Sequence, residues 1–530
     1  MRYDPALLPP ALARLLGLGS TGRTHLARLA DTALARAGTA TSQDQGALLL
    51  ELGVEFLLEA WEADPLDGRL AAMLLSLAGK LPILPQPVLD TLRAVAGRWR
   101  EPENTAYLDR LILDNDLVKL SRYLAGQAKR EPGNLAWTQR LARLGLEAGD
   151  LDMVRTALAG LTSSALRGAA LPLLADAALA STPDAAVRPA SEAAAGLDLP
   201  GALSRLARAM LAAGQRDQAL ATLRRSLEKR PWRSSDQLLL NSLESGDGTA
   251  SAPLPGPLTV LLAGADPAAL DATLAALAPE LPDHARVSAL ALGNAQAADM
   301  LRLWTERLAG RLTWEELPLD PGRPAARNWL LAKNESPADW LLLADAGAAP
   351  ARGWAGRLGA ALAAWPEAAA VGCRVLAAGN PGRVLAADGG LLFGLEGELG
   401  EHTAPGGGRV LMAPADLHVD LPDLGRFGYV RPCLFTSGAF LLVRADVLAE
   451  ERLDLRFSPQ AHDDTDLGLR LALAGHCTAY TGFVAVAASD QEAPGMEPAN
   501  LYKLQMKYDE GQVRVLAALQ AKLATDALRP

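Results

Sequence analysis

Ser245-Gly-Asp-Gly-Thr-Ala-Ser-Ala-Pro-Leu-Pro-Gly-Pro257, followed at once by Leu258-Thr-Val-Leu-Leu-Ala263, is where this chain changes character. The first part is small, polar and rich in proline and glycine, so it has little to bury and reads as a linker over 245–257. The second is a short uncharged apolar run, the pattern of a strand covered on both faces. Residues 1–244 and 258–530 therefore read as separate domains.

Upstream, apolar residues recur at three- and four-residue spacing and β-branched residues are scarce, which predicts helix after helix. Leu206 to Pro231 reads as one helix, a turn at Gly214, a second helix and a proline stop; Leu135 to Leu161 repeats the plan more weakly. Charged-to-proline boundaries recur at Asp64-Pro65, Glu101-Pro102, Glu131-Pro132 and Arg230-Pro231. Their spacing and the Ala-Gly-x-x-x-x-Ala-Leu pattern resemble tetratricopeptide repeats, helix pairs of about 34 residues. Such an α-solenoid holds a protein partner or acceptor on its concave face. An irregular helical bundle is the other reading, chiefly for 1–99.

Downstream, strands are expected at Leu258–Ala263, Val287–Leu292 and Trp340–Ala344, and helices at Ala268–Leu277, Ala298–Leu308 and Ala355–Ala364. The alternation predicts an α/β domain with a mostly parallel sheet, whose ligands sit beyond the carboxyl ends of the strands. Leu501–Leu523 reads as an amphipathic helix with Leu504, Val515 and Leu519 among its apolar positions. Gly406-Gly407-Gly408 reads as a loop tip.

The 530 residues carry a net charge of −10, which excludes a broad nucleic-acid footprint. No stretch has the long uncharged run of an integral membrane segment. The start Met1-Arg2-Tyr3-Asp4-Pro5 lacks a secretory pattern, and Cys373, Cys433 and Cys477 are too scattered for a disulfide framework, so a cytoplasmic setting is expected.

Four places carry chemistry. Arg323, Arg327 and Asn328 open a helix, where guanidiniums can hold a diphosphate or stand in solvent. Asp345 ends an apolar run and can ligate a hard divalent cation or cap a turn. Asp266 follows the first strand. Asp463, Asp464 and Asp466 crowd before Arg470; one N-cap and an i, i+4 pair with Arg470 explain part of the cluster but not all three acids. Alternating leucines at 467, 469, 471 and 473 leave a strand open there.

In order, these motifs resemble family 2 glycosyltransferases of the GT-A fold over about 258–490. The resemblance rests on Ala326-Arg327-Asn328, Leu343–Pro350 with Trp354, Ser437-Gly438-Ala439 through Arg444, and Asp463–Arg470. It implies an inverting transferase acting on a nucleotide-diphosphate sugar, with Mn2+ or Mg2+ as a possible cofactor and a protein or glycan acceptor. Asp464 becomes the base, Asp345 the surviving metal-motif acid, and Asp266, Arg323, Arg327, Asn328 and Asp345 the donor side. Asp463, Asp466 and Arg470 support them. The chain departs from the pattern in having one metal-motif acid, no acid at Ala291–Asn294, and Ala487-Ala488-Ser489 where the family often has a histidine. The same departures suit a catalytically inactive GT-A domain kept as a binding or scaffolding module.

Overall fold

The computed structural model describes every residue except 1–2, 80–83, 115, 335–337, 395–409, 416, 419–420, 489–496 and 529–530. Gly406–Gly408 and Ser489 lie outside the described residues. The chain forms two compact units, Met1–Leu240 with Asp420–Arg426, and Asn241–Val419 with Phe427–Pro530.

Met1–Leu240 is helical, with no strand among its described residues. The elements used below are α1 (Gln43–Ala63), α2 (Leu135–Glu147), α3 (Leu151–Leu158), α4 (Ser164–Ser181), α5 (Pro200–Ala212) and α6 (Arg216–Lys229). Gly149 and Gly214 take positive φ in the α2–α3 and α5–α6 turns, and Asp150 caps α3 by accepting from the Met153 amide. Asp64, Glu131 and Arg230 each stand at a helix C-cap directly before proline, because the proline ring disfavours helical backbone in the preceding residue.

This unit buries an ionic network. Arg205 Nε donates to Asp176 Oδ1 at 2.8 Å, Arg230 Nη1 to Glu59 Oε2 at 2.8 Å and Glu62 Oε1 at 3.1 Å, and Arg233 Nε to Asp236 Oδ2 at 2.7 Å. Arg426, from the inserted segment, lies 3.9 Å from Asp176.

The second unit contains β1 (Leu258–Gly264), α7 (Pro267–Leu277), β2 (Arg286–Leu292), α8 (Ala295–Arg307), β3 (Leu312–Leu317), α9 (Arg323–Lys333), β4 (Trp340–Asp345), α10 (Trp354–Ala364), β5 (Ala368–Ala377), β6 (Asn380–Ala386) and β7 (Asp388–Gly389). It continues through β8 (Val430–Cys433), β9 (Phe435–Thr436), β10 (Phe440–Arg444), α11 (Asp463–Leu473), β11 (Cys477–Ala488), α12 (Glu497–Lys507) and α13 (Glu510–Ala527). The strand order is β6-β5-β10-β4-β1-β2-β3. Strands β4, β1, β2 and β3 are parallel.

The other side of the sheet corrects the expectation of a mostly parallel one. Strand β10 runs antiparallel to both β4 and β5, β6 runs antiparallel to β5, and β11 lies parallel to β5 but antiparallel to β8. The sheet is mixed. A strand buried on both faces is a plain apolar run in either direction, so its sequence carries no sign of orientation.

Alternation along β1 sorts the core. Val260 and Leu262 face Leu270 of α7 and Trp354 of α10, while Leu261 joins Leu343, Ala326 and Leu330 of α9, and Leu467 and Leu471 of α11. Helices α9 and α11 thus share one sheet face. Leu467 and Leu471 are 0% and 1% exposed, each burial contributing about 1.5–3 kcal/mol, and they locate the start of α11.

The stretch 245–257 lies against this unit: Ala252 donates to the Gly356 carbonyl and Trp340 Nε1 to the Pro255 carbonyl, each at 2.9 Å. The single helix expected over 501–523 is two, α12 and α13, because Asp509 and Gln512 form a capping box that starts a new helix. Leu504, Val513 and Leu516 pack inward, whereas Val515 is exposed.

Candidate functional site

Two helix starts meet beyond the carboxyl ends of β1 and β4. Gly322 precedes α9 with φ +86°, and a Cβ there would lie 2.7 Å from Pro459 Cα; only glycine fits this approach. The contact lets the Arg323 amide donate to the Pro459 carbonyl at 2.6 Å. Helix α11 starts after His462, whose backbone is left-handed and whose side chain makes no cap. None of the three aspartates is the N-cap. All lie in the first turn of α11, beside the positive end of the helix.

Asp463 is fully buried and accepts from Arg323 Nε through both oxygens at 3.1 Å, with Arg323 Nη2 also on Oδ1. Asp345 receives Arg323 Nη1 on Oδ2 at 3.3 Å and Arg327 Nη2 on Oδ1 at 2.7 Å. Arg327 Nη2 also donates to the Gly438 carbonyl at 2.5 Å.

Asp464 differs. Its oxygens accept from the Gly438 and Thr465 amides, each at 2.7 Å, and Arg323 Nη2 approaches only to 3.7 Å. Of the three carboxylates facing these two guanidiniums, it is the one without an arginine hydrogen bond. Burial alone would raise its pKa; the Arg323 charge and the two backbone amides outweigh that and hold the carboxyl below its ordinary value. Gly438 is needed for this grip, since a Cβ would stand 2.9 Å from both Arg327 Nη1 and Asp464 Cβ.

Arg323, Arg327, Asp345 and Asp464 line a cavity of about 700 Å³, together with Ala263, Asp320, Asp388, His418, Ser437 and His462, a size typical of small-molecule sites. Other expected site residues lie elsewhere. Asp266 is exposed and caps α7 through the Ala268 amide. Asn328 brackets Leu453, donating to its carbonyl at 2.8 Å and accepting from its amide at 3.1 Å. Asp466, fully buried, pairs with Arg470 Nε at 2.9 Å, with Lys507 and with the Tyr508 hydroxyl at 2.8 Å. Arg470 also reaches Glu451 and the Arg452 carbonyl. Asp466 and Arg470 pin α11 to its neighbours and do not line the cavity.

The donor set does not fit a metal ion. Both oxygens of Asp345 face guanidiniums, and a divalent cation there would meet two positive charges. Among the described residues no group of three or more His, Cys, Asp or Glu is placed to hold a metal.

Two lining residues, Asp388 and His418, had no sequence signal. They are 30 positions apart in a stretch without recognisable pattern, and only the fold joins them.

No family model matches the chain, and no curated protein matches it. Several solved structures are similar. One is GalNAc-T7 with UDP, GalNAc and Mn2+, at 13% identity and TM-score 0.35, covering 48% of each chain; the chain thus spans about half the length of that structure. Another is the mannosyltransferase PcManGT from Pyrobaculum calidifontis in complex with GDP-Man and Mn2+, at 15% identity and TM-score 0.34, covering 58% of this chain and 85% of that one. A third is S. aureus TarS 1–349, at 12% identity and TM-score 0.32, covering 50% and 70%.

Proposed function

We propose that the second unit is an inverting glycosyltransferase with Asp464 as its base. The observation that carries this reading is the placement of Asp464, lining the cavity at the strand ends and fixed by two amides without a direct arginine hydrogen bond. The acceptor O–H proton passes to the Asp464 carboxylate as the oxygen bonds to the anomeric carbon. The bond from that carbon to the diphosphate breaks, and its electron pair leaves with the nucleoside diphosphate. A single displacement inverts the anomeric centre. The incoming diphosphate competes with Asp345 for Arg323 and Arg327, which neutralise it in bidentate fashion. The helical unit, read as tetratricopeptide-like, recruits a protein partner or the acceptor.

A second reading keeps the cavity as a binding module without turnover; the depressed pKa of Asp464, which weakens it as a base, favours it. Calorimetry with UDP-glucose, UDP-N-acetylglucosamine and GDP-mannose, followed by turnover of Asp464→Asn, separates the two. Binding without turnover in the natural chain selects the module. Binding of none of these donors, nor of UDP or GDP alone, removes both.

A further inference from the structure

The cavity has a second polar end that glycosyl transfer by Asp464 does not use. Strand β7 pairs antiparallel with β9, setting Asp388 opposite Thr436, two residues before the Gly438 that holds Asp464. His418 Nε2 lies 2.9 Å from the Asp388 carbonyl oxygen and 3.2 Å from its Oδ1. The Asp388 carboxylate also accepts from the Tyr429 hydroxyl at 2.9 Å and faces Arg431 Nη1 at 3.2 Å. Burial would raise the Asp388 pKa, but the His418 hydrogen bond, the Arg431 charge and the Tyr429 hydroxyl hold it below the ordinary carboxylate range.

Both atoms facing Nε2 are therefore pure acceptors, and Nε2 must carry a proton. In the neutral ring that leaves Nδ1 as a lone-pair acceptor. His418 is 6% exposed and lines the cavity, and its Nδ1 is buried with no hydrogen-bond partner among the described residues. Phe427 packs edge-on against the ring at 4.5 Å and fixes its plane. An orphaned, oriented acceptor is what a bound donor satisfies. Arg431 offsets the Asp388 charge, and Arg383, lining the cavity from β6, has partners of its own. The ligand that fits is neutral and rich in O–H.

We propose that His418 Nδ1 accepts a hydrogen bond from a hydroxyl of a carbohydrate, with Asp388 and Phe427 positioning the ring. This makes the Asp388–His418 pair the acceptor-recognition end of the cavity, an assignment of role that rests on the glycosyltransferase reading.

The test is imidazole nitrogen NMR on the full chain labelled at its 6 histidines, with the His418 signals assigned from His418→Gln. The probes are methyl α-D-glucoside and methyl α-D-mannoside. The expected result is a shift of the His418 Nδ1 resonance on glycoside addition, with Nε2 remaining protonated. In transfer assays with UDP-glucose or GDP-mannose, His418→Gln, which keeps the contact to Asp388, should raise the glycoside KM about tenfold. It should lower kcat far less and leave donor affinity unchanged. His418→Asn, whose amide oxygen stands in for Nδ1, should restore part of the loss. An Nδ1 signal unmoved by either glycoside, or a His418→Gln defect shared equally by donor affinity and kcat, overturns the proposal. If Nδ1 responds while no nucleotide sugar binds, the transfer reading falls and a carbohydrate site at His418 stands.

Discussion

The two units bury arginines against carboxylates in much the same way, and they differ in what is left over. In the helical unit Glu59, Glu62, Asp176 and Asp236 are met by Arg205, Arg230 and Arg233 at hydrogen-bond distance. Every member is at most 7% exposed. In the other unit Arg323 and Arg327 satisfy Asp463 and Asp345, while Asp464 keeps its place on a cavity. A buried ion network is weak evidence of a site, since such networks also serve register and packing. A carboxylate left on a cavity is better evidence, because a ligand can reach it.

The contrast can be broken or sharpened by measurement. The largest effect belongs to Asp464→Asn, which should cost on the order of 10²–10⁴ in transfer rate while donor affinity stays unchanged by calorimetry. Unaltered turnover would remove Asp464 as the base. Because Arg323 and two amides keep its pKa low, the natural rate should lose this base only in acid below the ordinary carboxylate range.

Next comes Asp466→Ala, which strips a fully buried acid from Arg470, Lys507 and Tyr508. Urea unfolding should show a loss of about 3–5 kcal/mol, with donor affinity intact at temperatures where the variant is folded. A fall in donor affinity there would mean Asp466 belongs to the site after all.

The helical network supplies a pH test. Burial, then the neighbouring Glu59, push the Glu62 carboxyl up to about 7 against the pull of Arg230, Arg233 and Arg205. Between the ordinary carboxyl value and about 7 the folded unit holds a proton that the unfolded chain has released. Its stability should therefore fall as pH rises through that window and level off above it. Glu62→Gln, neutral throughout, should remove the fall. Hydrogen exchange of α1 amides, corrected for intrinsic rate, should show the variant better protected than the natural chain at pH 8 and similar near pH 4.

The smallest effect expected is that of metal. Exchanging Mn2+ for a chelator should alter donor affinity less than about threefold. A large gain with Mn2+ would show that Arg323 and Arg327 yield Asp345 to a cation, and the pairing described here would then be one state of two.

Local chemistry made much of this legible. Gly214 and Gly149 marked helix–turn–helix pairs through their left-handed backbone, and the apolar runs at 258, 287 and 340 located strands. Arg323, Arg327, Asp345, Asp463 and Asp464 were each ambiguous alone, as residues at element ends are, and were grouped only by the order of motifs in the resemblance to family 2 glycosyltransferases. Asn328 and Asp266 were misplaced for the same reason: an amide or acid at a helix start looks alike whether it brackets a loop, caps the helix or faces a ligand.

The sequence by itself determined a helical stretch followed by an alternation of strands and helices, and which residues could carry charge into a pocket, since periodicity and helix-end chemistry act over a few residues. Tertiary structure alone decided the direction of β10, the sharing of two guanidiniums among three aspartates, and the meeting of Asp388 with His418. Those outcomes depend on which buried partner each polar group finds across the sheet, and no local pattern encodes a partner from a distant part of the chain.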